Sequence, residues 1–420
     1  MYSLVRSKSN YGSRRLLTTL SNPSFSSSLQ RVSSLVSLSL QSLTQLRKDS
    51  EAWVSAIEAL ESISKSPRRH LFRPQLVFLG ALSGLESGKG LKQEAAGALW
   101  SEYVDRTHVE SFAAGVELQH LYMVVHDDVM DHGTIRRGLP TVSVVLSRTG
   151  LVRSFQSGRE IADHLAILVG DAANAASLKL MLNGAVFGLN RPKALEVILD
   201  SALRAGAAQF EDVIGWEGVE RRLAAGEFLS EIQTLHALDI AAEHGFSAPL
   251  IAGFRMSPSS LSNDKKAEFE DELRRFGTLI GTSFFDLSDV TDIVCESSET
   301  GKDSLQDLRE GRLSQPLFNL RKLADPEEWE DVSSILRGFQ TSGNFNGPMT
   351  LYDRRRILTL MDKHRVIGRT LDAAENKLSE AEQLVSKWKQ TMPGFAEGCH
   401  KFVEGLRHEV KSLVGRLLKG

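Results

Sequence analysis

Cysteine is almost missing from this chain. Its two thiols, Cys295 and Cys399, cannot build a disulfide framework and lack the paired spacing of a zinc site. Both read as buried structural residues. Long apolar runs are scarce as well. The most apolar stretches, such as Leu76 to Leu85, are too short and interrupted to cross a bilayer, so no transmembrane segment is expected. Net charge is only −3 over 420 residues, and no strong field of either sign points to nucleic acid or anionic lipid. Prolines are few, with none between Pro140 and Pro192. Alternating β-branched segments bounded by tight turns are absent, which argues against a sheet. What is present, 41% hydrophobic and 25% charged residues, is ordinary for a globular protein. The length allows one large domain or two average ones.

Acidic residues are missing from the first 48 positions, which carry Arg6, Lys8, Arg14, Arg15, Arg31, Arg47, Lys48 and many serines. An Arg-rich, Ser-rich, acid-poor start is the composition of an organelle-import leader, and no continuous apolar core marks it as secretory. The short basic amphipathic stretch from Arg14 to Leu20 favours the mitochondrion; the serine content leaves a plastid as the alternative. Residues 1–48 are therefore set aside as a leader, and 49–420 as a single domain. That domain has helical period nearly throughout, as in Phe395, Phe402, Leu406, Val410, Leu413 and Leu417. Breaks are expected at Ser66-Pro67, Gly138 to Pro140, Asn190 to Pro192, Ser257 to Asp264, Ser297 to Asp307, Asp325-Pro326, Ser342 to Pro348 and Met392 to Gly394. The fold class is all-α: one bundle of roughly ten or more helices.

The chemistry concentrates between His120 and Gly138. Asp127 and Asp131 are four apart and share a helix face, with Asp128 beside them; Arg136 and Arg137 follow. Three like charges so close need a cation. Mg2+ suits them, because it takes one or two carboxylates, keeps waters and completes its shell with substrate phosphate. Two guanidinium forks then hold the phosphate oxygens that the metal leaves. The bland alternative is a solvated salt-bridge ladder. Against it, the preceding Leu121, Tyr122, Met123, Val124 and Val125 are apolar, and Gly138 and Pro140 break the chain where it can bring the arginines back over the helix end.

DDxxD followed four residues later by RRG resembles the first aspartate-rich motif of the trans-isoprenyl (polyprenyl) diphosphate synthases. Further segments resemble the same family in order. Arg73-Pro74 matches the end of its GGKxxRP motif, with Arg68, Arg69 and His70 replacing the two glycines and the lysine. The run from Ala113 to His120 resembles AAxVExxH. Gly170-Asp171 resembles the GD of a helix over the pocket, and Gly226 to Leu229 its GEFLQ or GQxxD turn. Gly301-Lys302 to Leu317 resembles the closing loop GKxxxxDLxEGxxxxPL. Two segments depart from the pattern. Where the family carries Lys-Thr, the chain has Phe246-Ser247, and Pro249 must kink the helix or start it there. In the second aspartate-rich motif, Phe285 replaces glutamine and Ser288 replaces the first aspartate; Asp289 and Asp292 remain, and Asp286 lies one turn earlier.

The resemblance implies an isoprenoid-synthase-type helical bundle around a deep central cavity. It implies a Mg2+-dependent prenyltransferase that condenses an allylic diphosphate with isopentenyl diphosphate. Asp127, Asp128, Asp131, Asp289 and Asp292 are then the metal ligands. Arg136, Lys302 and the Asp289 side serve the allylic diphosphate, with Asp127, Asp128, Asp131 and Lys302 carrying the catalysis. Arg73, His70, His120 and Arg137 serve isopentenyl diphosphate. Tyr122 and Met123, five and four residues before Asp127, set chain length, and a tyrosine there floors the tunnel for a short or medium product. A homodimer, or a heterodimer with a homologous subunit, is implied, and no nucleic-acid partner. Two other readings stay open: a diverged lyase using Phe246, Phe285 and His70 around a carbocation, and a weakly active or inactive subunit, to which Ser288 and the missing lysine point.

Overall fold

The helical period read along the sequence is realised nearly throughout. The computed structural model describes residues 25–87, 100–102, 106–185, 191–230, 241–301, 305–342 and 349–417. The longer helices are α1 (Ser26–Thr44), α2 (Glu51–Lys65), α3 (Phe72–Glu86), α4 (Arg106–Met130), α5 (Val142–Arg148), α6 (Gly158–Ala185), α7 (Arg191–Ala224), α8 (Ala248–Met256), α9 (Asn263–Val294), α10 (Gln315–Leu323), α11 (Pro326–Ser342), α12 (Leu351–Lys363), α13 (Val366–Trp388) and α14 (Pro393–Leu417). The five expected breaks that lie wholly among the described residues (Ser66-Pro67, Gly138 to Pro140, Ser257 to Asp264, Asp325-Pro326 and Met392 to Gly394) fall at helix ends; the other three lie partly outside the described residues. Local chemistry explains several starts. Ser50, Thr141 and Thr350 accept the backbone N–H three residues on, each satisfying a donor the helix leaves free. Pro249 opens α8 rather than kinking it.

Three expectations are corrected. The described core already includes Phe25, ahead of the boundary expected at residue 49. Phe25, Val32, Val36, Leu40 and Leu43 form one apolar stripe on α1, all buried in the main core; the serines between them hide that period in the composition. Residues 1–24 lie outside the described residues. Second, a minimal antiparallel ribbon is present, Ile135–Arg136 against Leu139–Pro140. Third, α6 is long and apolar enough, by length and composition, to cross a membrane. It packs instead along α4 in the main core.

Two apolar clusters divide the body. The larger runs through α1–α9, α13 and α14. The smaller gathers Trp216 and Val219 from the end of α7 with residues of the 305–313 segment and α10–α12. Helix α7 serves both, because it breaks at Gly215 (φ 61°, ψ −155°), a backbone state open chiefly to glycine. Helices α3 and α8 pack backbone to backbone: a Cβ on Gly80 would lie 1.9 Å from the Leu250 carbonyl oxygen, and one on Gly253 2.0 Å from that of Val77. Gly80→Ala must part the two helices, and a loss of roughly 1–3 kcal/mol is expected, read as a fall in thermal midpoint. An unchanged midpoint would contradict this contact.

Candidate active site

The carboxylates stand at the C-terminal end of α4. Asp131 and Gly133 donate backbone N–H bonds back to the Asp127 and Asp128 carbonyls, at 2.7 and 2.8 Å, and curl the chain out of the helix. The ribbon then turns through Arg137 (φ 55°) and Gly138 (φ 78°), the paired left-handed geometry of a two-residue hairpin. This turn sends neighbouring arginines to different places. Arg136 returns to the acids: Nε donates to Asp128 Oδ1 at 2.6 Å and Nη2 to Asp127 Oδ2 at 2.9 Å. Burial pushes the Asp128 carboxyl up to about 6 although Arg136 opposes it. Burial works against the Arg136 charge too, but Asp128 and Asp127 outweigh it and hold the guanidinium protonated.

A second arginine, absent from the sequence reading, holds the rest of the cluster. Arg312 pairs with Asp131, lies 3.6 Å from Asp212, contacts Glu310 at 3.2 Å and donates to the Met130 carbonyl at 2.9 Å. Gln209 reaches Asp127 at 3.5 Å, and Gln306 donates to the Asp131 carbonyl at 2.7 Å. Burial raises Asp212 to about 6 and Glu310 to about 7, and lifts Asp131 well above the ordinary carboxylate range. At Gly226–Leu229, where the resemblance placed a GEFLQ or GQxxD turn, Glu227 pairs with Arg222 and Phe228 is exposed. Gln209 and Asp212 of α7, which reach the cluster, were not singled out in the sequence, and their Gln-x-x-Asp spacing was the readable signal.

Five carboxylates (Asp127, Asp128, Asp131, Asp212 and Glu310) thus face two guanidinium groups. Such an anionic excess in partial burial is a donor set that fits a divalent cation. Among the described residues no three carboxylates or imidazoles are gathered as a ready cage.

Arg137 belongs to a second, basic pocket. Its Nη2 lies 3.4 Å from His120 Nε2, and Nη1 donates to the Ile63 carbonyl at 3.4 Å. Arg73 is buried beside Phe72, 4.8 Å from the ring centroid. Glu117, 2% exposed, has no hydrogen bond to either oxygen and feels Arg137, Arg73 and Arg69. Three arginines against one carboxylate leave the pocket positive, as an anion site requires. Burial, then Arg137 and Arg73, lower His70 to about 4; burial and Arg73 lower His120 far below its usual range. Both imidazoles are neutral at pH 7. His244, unforeseen in the sequence, stands on a π-turn at Glu243–Ser247. Burial and Arg73 lower it to about 3. Ser201 Oγ donates to the Ile198 carbonyl, so His244 Nδ1–H must donate to Ser201 Oγ, 3.0 Å away. Of the arginines replacing the two glycines, Arg68 is bound to the Ser298 and Glu299 carbonyls, and Arg69 to the Ser64 carbonyl and Ser33.

The second acidic segment is dispersed. Asp286, 0% exposed, is 2.7 Å from Lys377 in the interface of α9 with α13, away from the first cluster. Asp289 Oδ2 accepts the Gln315 N–H at 2.8 Å, at the N-terminus of α10, where a negative charge is favourable. Asp292 is buried. The structure therefore does not gather Asp289 and Asp292 with the first motif into one cage. Phe246 and Phe285 join Phe72 and Phe284 in an aromatic cluster, with centroids 4.9–6.4 Å apart. Lys302 lies outside the described residues. Its neighbour Gly301 (φ 75°) accepts the Gly138 N–H at 2.8 Å, so the closing loop starts against the arginine turn. Tyr122 and Met123 are half-buried on α4. The Tyr122 ring packs against His126, 5.5 Å away, and Gly170 lets α6 pass close to the same histidine.

The all-helical body thus carries a carboxylate–arginine cluster and a separate arginine–histidine pocket. The family model for polyprenyl synthetase matches residues 72–345, and the chain belongs to that family. It is 29% identical over 226 residues to the geranylgeranyl diphosphate synthase of Sulfolobus acidocaldarius, covering 53% of this chain and 59% of the relative. It is 24% identical over 214 residues to heptaprenyl diphosphate synthase component 2 of Bacillus subtilis, covering 51% and 52%. The sequence matches thus span little more than half the length of these relatives. The fold is shared with the crystal structure of geranylgeranyl pyrophosphate synthase from Corynebacterium glutamicum complexed with isoprenyl diphosphate and magnesium. That likeness has a TM-score of 0.66 at 17% identity and covers 89% of this chain and 98% of the other.

Proposed function

We propose that this chain is a Mg2+-dependent trans-prenyltransferase that joins an allylic diphosphate to isopentenyl diphosphate. The observation that carries this reading is the split of Arg136 and Arg137, one serving the acidic cluster and the other the basic pocket. With a divalent ion in the acidic cluster, two sites held by adjacent residues would set two diphosphate esters side by side. When bound, Mg2+ supplies neutralisation of the leaving diphosphate. Asp127 and Asp131 would hold it, and Arg136 and Lys302 the remaining phosphate oxygens. Arg73, Arg137 and His120 hold isopentenyl diphosphate with its double bond toward the allylic carbon. The allylic carbon–oxygen bond breaks with its electron pair on diphosphate, the double bond attacks the cation, and the released diphosphate takes the proton. The protein contributes positioning, charge and exclusion of water.

The test uses the chain from Phe25 onward with Mg2+ and each allylic diphosphate, with and without isopentenyl diphosphate, and identifies products by mass spectrometry. A longer prenyl diphosphate that needs isopentenyl diphosphate is the expected result. A hydrocarbon or alcohol formed without it would replace this reading with a lyase, and no turnover would replace it with a subunit dependent on a partner.

Specific observations favour that subunit reading as second. Phe246 and Phe285 stand where the family carries lysine and glutamine, and one relative is a synthase component. Leu203 (75%), Phe210 (67%) and Val213 on α7, and Leu168 and Leu182 on α6, are exposed apolar side chains of the kind that pairing with a homologous chain would cover. The proposed import leader, mitochondrial with a plastid as alternative, is confined to residues before Phe25, because α1 is core.

His70 gives the basic pocket a pH dependence. Arg137, Arg73 and the Phe72 ring face it, and it is neutral in the free protein. A bound diphosphate opposes both arginines and raises its pKa, so binding takes up a proton between about 4 and the higher value in the complex. Affinity for isopentenyl diphosphate is expected to fall as pH rises through that window and to level off above it. His70→Lys should flatten the profile and tighten binding roughly tenfold at pH 8. Calorimetric titration from pH 5 to 8 reads both, and a flat wild-type profile would refute them.

A further inference from the structure

The turn at residues 311–315 straps the two acidic segments together. The Arg312 guanidinium pairs with Asp131 and lies 3.6 Å from Asp212. The Leu313 N–H donates to Asp212 Oδ1 at 3.3 Å, and the Gln315 N–H to Asp289 Oδ2 at 2.8 Å. On the other side the Trp216 N–H, at the Gly215 break in α7, donates to the Gly311 carbonyl at 3.0 Å. The Arg312 side chain is only 8% exposed. A guanidinium therefore sits among the carboxylates that the proposed reaction needs for a divalent ion, and Asp131 cannot give the same oxygen to both cations.

We propose that Arg312 is the resident counter-cation of the metal site. It positions Asp131, Asp212 and Glu310 before the ion arrives and is displaced from Asp131 when the ion binds, so metal loading and release of the turn are one coupled event. Arg136 is not the displaced group. It holds Asp128 and one oxygen of Asp127 from a hydrogen-bonded hairpin, whereas Arg312 pairs with Asp131 itself, on a turn that the Asp212 and Asp289 carboxylates hold alongside its backbone bonds. Coupling is reciprocal: whatever the resident arginine subtracts from metal affinity, the metal subtracts from the hold on the turn.

This inference rests on the metal–diphosphate reading, and the test separates the two. Mg2+ and Mn2+ are titrated calorimetrically into the whole protein without diphosphate. Arg312→Met is expected to bind the ion roughly tenfold more tightly than wild type, and Arg312→Lys to stay near wild type. A purely structural arginine would lower the thermal midpoint of Arg312→Met and leave metal affinity unchanged or weaker, which overturns the proposal. In case that variant does not fold, amide exchange over 305–315 is followed in wild type. Faster exchange with Mg2+ supports release of the turn; unchanged or slower exchange overturns it. If neither protein binds an ion, the metal reading itself falls, and this inference with it.

Discussion

A chain that begins at Asp49 is expected to be insoluble or unfolded, whereas one that begins at Phe25 folds. Helix α1 buries Phe25, Val32, Val36, Leu40 and Leu43. Phe25 packs edge-on against Phe78 and Trp100, at 5.4 and 5.1 Å. Burial of five such side chains contributes about 7–15 kcal/mol, as much as the whole net stability of a typical domain, roughly 5–15 kcal/mol. Polar partners are lost as well: Ser28 donates to Glu110 at 2.6 Å, Trp53 Nε1 to the Leu43 carbonyl at 2.8 Å, and Arg69 to Ser33 at 3.0 Å. The last of these removes a brace from the basic pocket. Circular dichroism and size-exclusion chromatography on the two truncations decide the matter. A soluble, helical chain from residue 49 would restore the longer leader and make α1 dispensable.

Lys377→Met is expected to destabilise the protein by about 3–5 kcal/mol, because it strands a charge in the interior. Asp286 is wholly buried and its Oδ2 lies 2.7 Å from Lys377 Nζ. With the ammonium gone, the buried carboxylate loses the Lys377 charge and must stay ionised at a cost or take up a proton, and either raises the energy of the folded state. The double variant Asp286→Leu/Lys377→Met removes both charges and should recover most of the loss, as replacing an entire buried pair by apolar groups is often neutral. Urea denaturation of the four combinations measures the coupling. If Lys377→Met alone leaves stability unchanged, the pair is not what holds α9 against α13, and Asp286 becomes available again as a substitute for Ser288 in metal binding.

Much of the site was legible in local sequence. Asp127, Asp128 and Asp131 are neighbours on one helical turn, and the Gly138 break placed the arginines over its end. His120 and Arg73 were read from spacing and resemblance, and they do share a pocket with Arg137. Gln209 and Asp212 were not read, although their spacing was there, because the same kind of motif was sought at Gly226. Arg312 carries no local signal: its partners Asp131 and Asp212 are 181 and 100 residues away, and nothing near it in sequence announces them.

The division has a physical cause. Helix period, helix breaks and the ribbon turn depend on residues within one or two turns of each other, so the amino-acid order alone determined the all-helical character and the location of the acidic cluster. It also marked the break at Gly138 to Pro140. Only packing decided the rest. It made α1 part of the core by giving its apolar stripe a surface to cover. It divided Arg136 and Arg137 between two sites, one at the acids and one beside His120. It turned Asp286 toward Lys377 and Asp289 toward the start of α10, because a charge inside the protein is paired with whichever partner the helices bring within reach.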